Sequence, residues 1–284
     1  MIKNREKFPF SLGNLIAFLL LYLIAGVILF IRIGPWEAVR QTVVNGAIVL
    51  AWLGISAWIL KNEPLPDPVS IRRPRLELAW GLLTFLIVVL LAAFAYLDLL
   101  EQASWLFFVV FYAFPILLYV TLRYPLRAIG LVWPSRRTRF ALMAVIMVNL
   151  LATLVYMWIP SGEADPVPGA DLAEQITGPW SVLMVLLALT FRAALPEELL
   201  FRVTLQPRLA RFIPLGWAIL LQALLFNLGH FPQQLIRNQE PVLLASAYLM
   251  TIDNGIISGY LWYRTRSLPL LIVLHLFAYP RFGI

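Results

Sequence analysis

Residues 78–97 read LAWGLLTFLIVVLLAAFAYL, with no charged side chain anywhere in the run. A helix of about 20 apolar residues spans the roughly 30 Å hydrocarbon core of a bilayer, so this stretch is expected to cross a membrane. Similar runs occupy Phe10–Ile31, Thr42–Leu60, Trp105–Leu122, Phe140–Ile159, Trp180–Leu200, Leu215–His230, Val242–Tyr263 and Leu268–Tyr279. The whole chain shares this character: 61% of its residues are hydrophobic, only 13% are charged, and the mean hydropathy is +0.84. A soluble domain carries roughly 45–50% apolar and about 25% charged residues, so this composition cannot cover a core with a polar surface. The expectation is an all-α, polytopic integral membrane bundle of about eight to nine transmembrane helices. The first run is too long for a signal-peptide core and is read as a retained span. The last is short, which a tilted, thinned or re-entrant arrangement would accommodate. Without cysteine, the chain has no disulfide, thiol nucleophile or thiolate metal site.

The net charge of +7 is distributed by side. Lys3, Arg5 and Lys7 precede the first run. Lys61, Arg72, Arg73 and Arg75 follow the second; Arg123, Arg127, Arg136, Arg137 and Arg139 follow the fourth. Arg202, Arg208 and Arg211 follow the sixth, and Arg264 and Arg266 the eighth. The alternate loops are poor in basic residues, and one carries Glu163, Asp165, Asp171 and Glu174. This pattern is what the positive-inside rule produces, with the N-terminus cytoplasmic; it is not a nucleic-acid footprint. The Pro- and acid-rich loop at 161–179 divides the chain into N-terminal helices (1–160, about five spans) and a C-terminal core (180–284, about four spans). The first five spans hold almost no ionisable residue at membrane depth, Asp98 and Glu101 sitting at a loop.

Beyond that loop, ionisable groups enter the apolar runs: Arg192, Glu197, Glu198, Arg202, His230, Asp253 and His275. Each costs about 2.5–3.5 kcal/mol on insertion scales, so their concentration asks for a shared reason. Mutual neutralisation explains some of them. Glu198 and Arg202 lie four apart on one helix and can pair, and Arg192 could answer Asp253. It leaves Glu197 and the chain's only two histidines. A lone membrane histidine is ordinarily a helix-to-helix hydrogen bond; two converging on a spare glutamate imply more. Glu197 and His230 lie about equally far from the expected turn at Ile213–Pro214, which puts them level in a helical hairpin. Pro207 is expected to break the sixth helix early, and Pro196 to bend it beside the glutamates. A carboxylate beside an imidazole can take a proton from water and return it to a leaving amine, while a second imidazole can hold the oxyanion. Glu/His/His is equally a zinc donor set, although the His-Glu-x-x-His signature is absent.

Pro196-Glu197-Glu198-Leu199-Leu200-Phe201-Arg202 resembles the EExxxR motif of the CPBP family, which includes the type II CAAX prenyl endopeptidases. Phe226-Asn227-Leu228-Gly229-His230 resembles that family's FxxxH motif, and Gly255-x-x-x-Gly259 followed by Ser267-Leu268 and His275 resembles its third region. The resemblance implies an intramembrane endopeptidase in which Glu197 and His230 activate water and His275 holds the oxyanion. It implies supporting roles for Glu198, Arg202 and Phe226. The family's third motif has Asn four residues after its histidine; here Tyr279 stands there, a single phenolic donor in place of a carboxamide. Gly255 and Gly259 read most simply as a close helix contact of the small-xxx-small kind. Asp253 and Asn254 are either supports of the site or helix glue.

The expected function is intramembrane hydrolysis of a peptide bond in a membrane-associated peptide or protein substrate. The expected location is the plasma membrane of a bacterium or an equivalent internal membrane. No cofactor is favoured; a zinc ion on Glu197, His230 and His275 is the alternative. The rival function is a catalytically silent membrane scaffold or bacteriocin-immunity-type protein that keeps the motifs. A secondary transporter would call for inverted repeats and paired broken helices, and the sequence offers neither.

Overall fold

The computed structural model describes residues 8–33, 42–43, 45–97, 99, 103–158, 178–237 and 252–282. Among them every regular element is helical. In chain order these are α1 (Leu12–Ile33), α2 (Asn45–Leu60), α3 (Pro74–Tyr96), α4 (Ala103–Thr121), α5 (Arg136–Trp158), a composite α6 (179–209), α7 (Leu215–Arg237), α8 (Ile252–Thr265) and α9 (Leu268–Phe282). Three are long and apolar enough to cross a membrane, over Leu12–Ile31, Pro74–Ala95 and Leu215–Pro232; shorter apolar helices cover Gly46–Leu60, Trp105–Thr121 and Leu268–Phe277. The acidic loop with Glu163, Asp165, Asp171 and Glu174, the first part of the Val242–Tyr263 run, Asp98, Glu101 and the Tyr279 side chain lie outside the described residues.

Helix α3 packs on α4 and α7, α2 on α5 and α8, α7 on α8, and α9 on α5 and α8. The interior is filled by Trp52, Leu60, Ile219, Ile256, Tyr260 and Trp262, all fully buried. Outward faces are just as apolar: Leu19, Leu23, Ile24 and Phe30 on α1 and Leu82, Leu83, Leu86 and Leu90 on α3 are exposed. An apolar skin that extends over several helices is of the kind that suits contact with lipid.

The approach of α7 to α8 is as close as expected. A Cβ at Gly255 would stand 2.6 Å from the Ala223 Cβ, and one at Gly259 would meet the amides of Gln222 and Gln206 at 2.8 and 2.9 Å. Those amides donate to the Gly255 and Gly259 carbonyls at 2.7 and 2.9 Å. At the α8–α9 turn, Leu268 N donates to the Gly130 carbonyl and Ser267 Oγ to that of Val132. Gly130 has φ +79, and a Cβ there would strike the Trp262 ring at 2.5 Å. Glycine at this position lets the 126–130 turn clamp the start of α9, the helix that carries His275.

One expectation about charge is corrected: Arg208 and Arg264 do not decorate loops but are buried. In the N-terminal helices Glu77, just before the 78–97 run, is fully buried and pairs with Arg208, Oε2 to Nη2, at 2.9 Å. Glu77 Oε1 accepts from the Arg72 and Arg73 amides and from the Tyr124 hydroxyl. Burial, reinforced by that carboxylate against the opposing Arg72 amide, raises the Tyr124 phenol above its ordinary value. Pro207 does not end α6 early either; the helical path runs to Leu209. Proline removes the amide that would serve the carbonyl four residues back. That carbonyl, of Val203, accepts instead from Arg208 Nη1 at 2.7 Å and from the Tyr119 hydroxyl at 3.0 Å.

Candidate active site

Helix α6 is not a plain α-helix where it carries the glutamates. Residues Pro179–Leu189 are α-helical, Thr190–Ala194 form a π turn, Leu195–Glu197 return to α, and Glu198–Leu205 are again π. The departure expected at Pro196 thus takes the form of two π segments, with Leu195 N reaching Thr190 O and Gln206 N reaching Phe201 O. Such widened turns rotate neighbouring side chains relative to α geometry and are frequent at functional sites. Here both adjacent glutamates are buried and both meet histidine.

His230 comes from α7 and His275 from α9. His275 Nδ1 lies 2.9 Å from Glu198 Oε1, and its Nε2 lies 3.3 Å from Glu197 Oε2. His230 Nε2 stands 3.8 Å from Glu197 Oε1, and its Nδ1 is 3.0 Å from the Phe226 carbonyl. The hairpin expectation that Glu197 and His230 lie level therefore holds. A carbonyl only accepts hydrogen bonds, so His230 Nδ1 donates to Phe226 O and its Nε2 faces Glu197, while His275 lies between the two carboxylates, Nδ1 toward Glu198 and Nε2 toward Glu197.

Arg202 Nε lies 3.4 Å from Glu198 Oε2, the expected i, i+4 pair, with both side chains wholly buried. Its guanidinium lies over the Phe226 ring at 4.2 Å. The same ring meets His230 edge-on at 4.9 Å and His275 at 6.1 Å. Phe226 therefore packs against the arginine and both imidazoles, which gives the second motif's aromatic residue a physical role. Arg192 stays outside this cluster: it is exposed, 5.7 Å over the Phe108 ring, while Asp253 is fully buried and accepts from the Asn254 amide.

What sequence reasoning missed is the bond between Glu198 and His275. Glu198 was expected to serve Arg202; it serves both, one oxygen to each. In this buried cluster two carboxylates face one guanidinium and lie against two imidazoles. A carboxylate that faces two imidazoles is a grouping able to exchange protons with a bound water.

The donor set suits zinc in kind, since one carboxylate and two imidazoles converge and each Nδ1 is tied to an acceptor, as ligating histidines usually are. Among the described residues, however, no group of three or more His, Asp or Glu side chains is drawn together closely enough to hold one ion.

This arrangement falls within a segment that matches a known family model. Residues 179–279 match it. The match is to the type II CAAX prenyl endopeptidase Rce1-like family and covers a little over a third of the chain. It includes Glu197, Glu198, Arg202, Phe226, His230 and His275 and agrees with the resemblance carried by the three motifs. No curated protein and no solved structure matches the chain. The matched segment starts at the first residue of α6 and reaches Tyr279 in α9, so every candidate site residue lies inside it.

Proposed function

We propose that this protein is an intramembrane endopeptidase that hydrolyses a peptide bond in a membrane-associated protein substrate, using water activated by Glu197 and His230. The observation that carries the reading is the bridging of one buried carboxylate, Glu197, by two imidazoles on separate helices. In this reading His275 rests as the imidazolium, beside the Glu198 carboxylate that stabilises it. Glu197, oriented by His230, takes a proton from water as the water oxygen attacks the scissile carbonyl carbon. His275 Nε2–H donates to the oxyanion that forms. Collapse breaks the C–N bond, and the leaving nitrogen receives the proton held by Glu197, giving a carboxylic acid and an amine. Arg202 and Phe226 hold Glu198 and the two rings in register.

The proposal extends to organisation. Residues 1–160 form about five spans and 180–284 the four-span catalytic core, for eight to nine spans in all, with 161–179 between them and the N-terminus cytoplasmic. The host is a bacterial plasma membrane or an equivalent internal membrane. Tyr279 stands where the family's Asn supports the oxyanion, and the phenol takes that place as a donor.

A second reading keeps the reaction and adds zinc held by Glu197, His230 and His275; the two Nδ1 tethers favour it. Zinc would supply an acidified water at neutral pH. The sequence departure at Tyr279 favours the other alternative, a catalytically silent scaffold or immunity-type protein. Comparative proteomics of membranes carrying wild type or Glu197→Gln separates hydrolysis from scaffolding. The proposal expects intact substrates to accumulate and new N-termini to disappear in the variant. Identical profiles would leave the scaffold.

A further inference from the structure

A cavity of about 600 Å³ opens at the end of the bundle where α6 finishes, α7 begins and the 68–71 segment leads into α3. It lies about two helical turns beyond the glutamates along α6, because Gln206 and Pro207 line it. Arg211 and Arg266 line it too, and no carboxylate does. The first turn of α7 forms part of its wall through Leu215 and Trp217, and the leading amides of a helix have no acceptor within the helix. A further donor is buried there: Asn14 is 2% exposed, its Oδ1 accepts from the Ser11 amide and hydroxyl, and its Nδ2 has no hydrogen-bond partner. A buried amide donor without an acceptor costs stability unless something supplies one. Two guanidinium groups, a helix N-terminus and an orphaned amide, with no acid among them, form a site for an anion.

The rest of the lining is apolar, Val69, Ile71 and Ile213 among it, and Trp217 is exposed at its edge. The arginine-rich ends of α3, α4 and α5 belong to loops that the charge pattern assigns to the cytoplasmic face. We infer that this cavity binds a phosphate-bearing anionic headgroup, the phosphate against Arg211, Asn14 Nδ2 and the start of α7, with the acyl portion leaving past Trp217. Basic pockets between helices at that face are where anionic lipids are held, each nearby cation strengthening the attraction about fivefold. The inference does not depend on peptidase activity.

The test uses the purified full-length protein in neutral detergent, titrated with short-chain phosphatidylglycerol and followed by native mass spectrometry. Phosphatidylcholine and inorganic phosphate are the comparison ligands. Phosphatidylglycerol is expected to bind in preference to phosphatidylcholine. Arg211 is exposed and can be changed without unfolding the protein: Arg211→Gln should weaken binding about fivefold or more, and Arg211→Lys should recover most of it. Arg137→Gln, a charge at another basic surface, should leave it unchanged. Competition by inorganic phosphate at equal strength would support the anion site and assign it to a soluble phosphate. Equal retention of both lipids, or equal losses in Arg211→Gln and Arg137→Gln, would overturn the inference.

Discussion

Glu198 holds His275 by one carboxylate oxygen, Oε1 to Nδ1 at 2.9 Å, and faces the Arg202 guanidinium with the other at 3.4 Å. The second glutamate of the motif is therefore the hinge between a buried cation and the imidazole that addresses Glu197. Replacing it should damage two things at once. Glu198→Gln leaves Arg202 without its counter-ion and should destabilise the protein by about 3–5 kcal/mol, read as a lowered Tm in detergent. It should also lower turnover in the fraction that stays folded, because His275 loses the carboxylate that supports its charge. Wild-type stability in this variant would show that the pair is not what holds the buried arginine.

The pair Glu77–Arg208 makes a separate prediction about the scaffold. Both side chains are fully buried, and Arg208 also serves the carbonyls of Val203 and Thr204 at the end of the π segment. Glu77→Gln alone should cost about 3–5 kcal/mol by stranding the guanidinium. Glu77→Leu combined with Arg208→Met should cost less than the single change, since neither charge is then left alone. A double variant as unstable as the sum of two singles would contradict this coupling.

Much of the site was legible because its parts recur at fixed spacing. Glu197, Glu198 and Arg202 share one short stretch, and the two histidines are the only ones in the chain. The level of Glu197 and His230 followed from counting residues either side of Ile213–Pro214. Other features depend on long-range geometry that spacing does not encode. Glu77 and Arg208 lie 131 residues apart, both outside the apolar runs, where hydropathy reads them as loop charges. The π turns of α6 leave no compositional mark, yet they bring Glu198 as well as Glu197 to His275. Pro207 reads as a helix breaker, and only the folded chain supplies Arg208 and Tyr119 to its stranded carbonyl.

Topology is open to direct labelling, because the chain has no native cysteine. In intact cells an impermeant thiol reagent should modify Asp165→Cys and spare Arg137→Cys until the membrane is opened. The reverse pattern would invert the orientation.

The metal question has its own readout. Purified protein with proven activity should keep it after exhaustive chelation if Glu197 works as the base without an ion. Near-stoichiometric zinc that leaves together with activity, and restores it on return, would make His275 a ligand instead of an oxyanion donor.

Central to the account is Glu197 as the group that moves the proton. The most direct measurement is cleavage of an identified substrate by the reconstituted full-length protein, wild type against Glu197→Gln, with Tm recorded on the same preparations. The glutamine keeps the shape and removes the base, so the rate should fall about 10²–10⁴-fold while Tm stays close to wild type. A variant that cuts at the wild-type rate, or that loses activity only in proportion to lost folded protein, would contradict it.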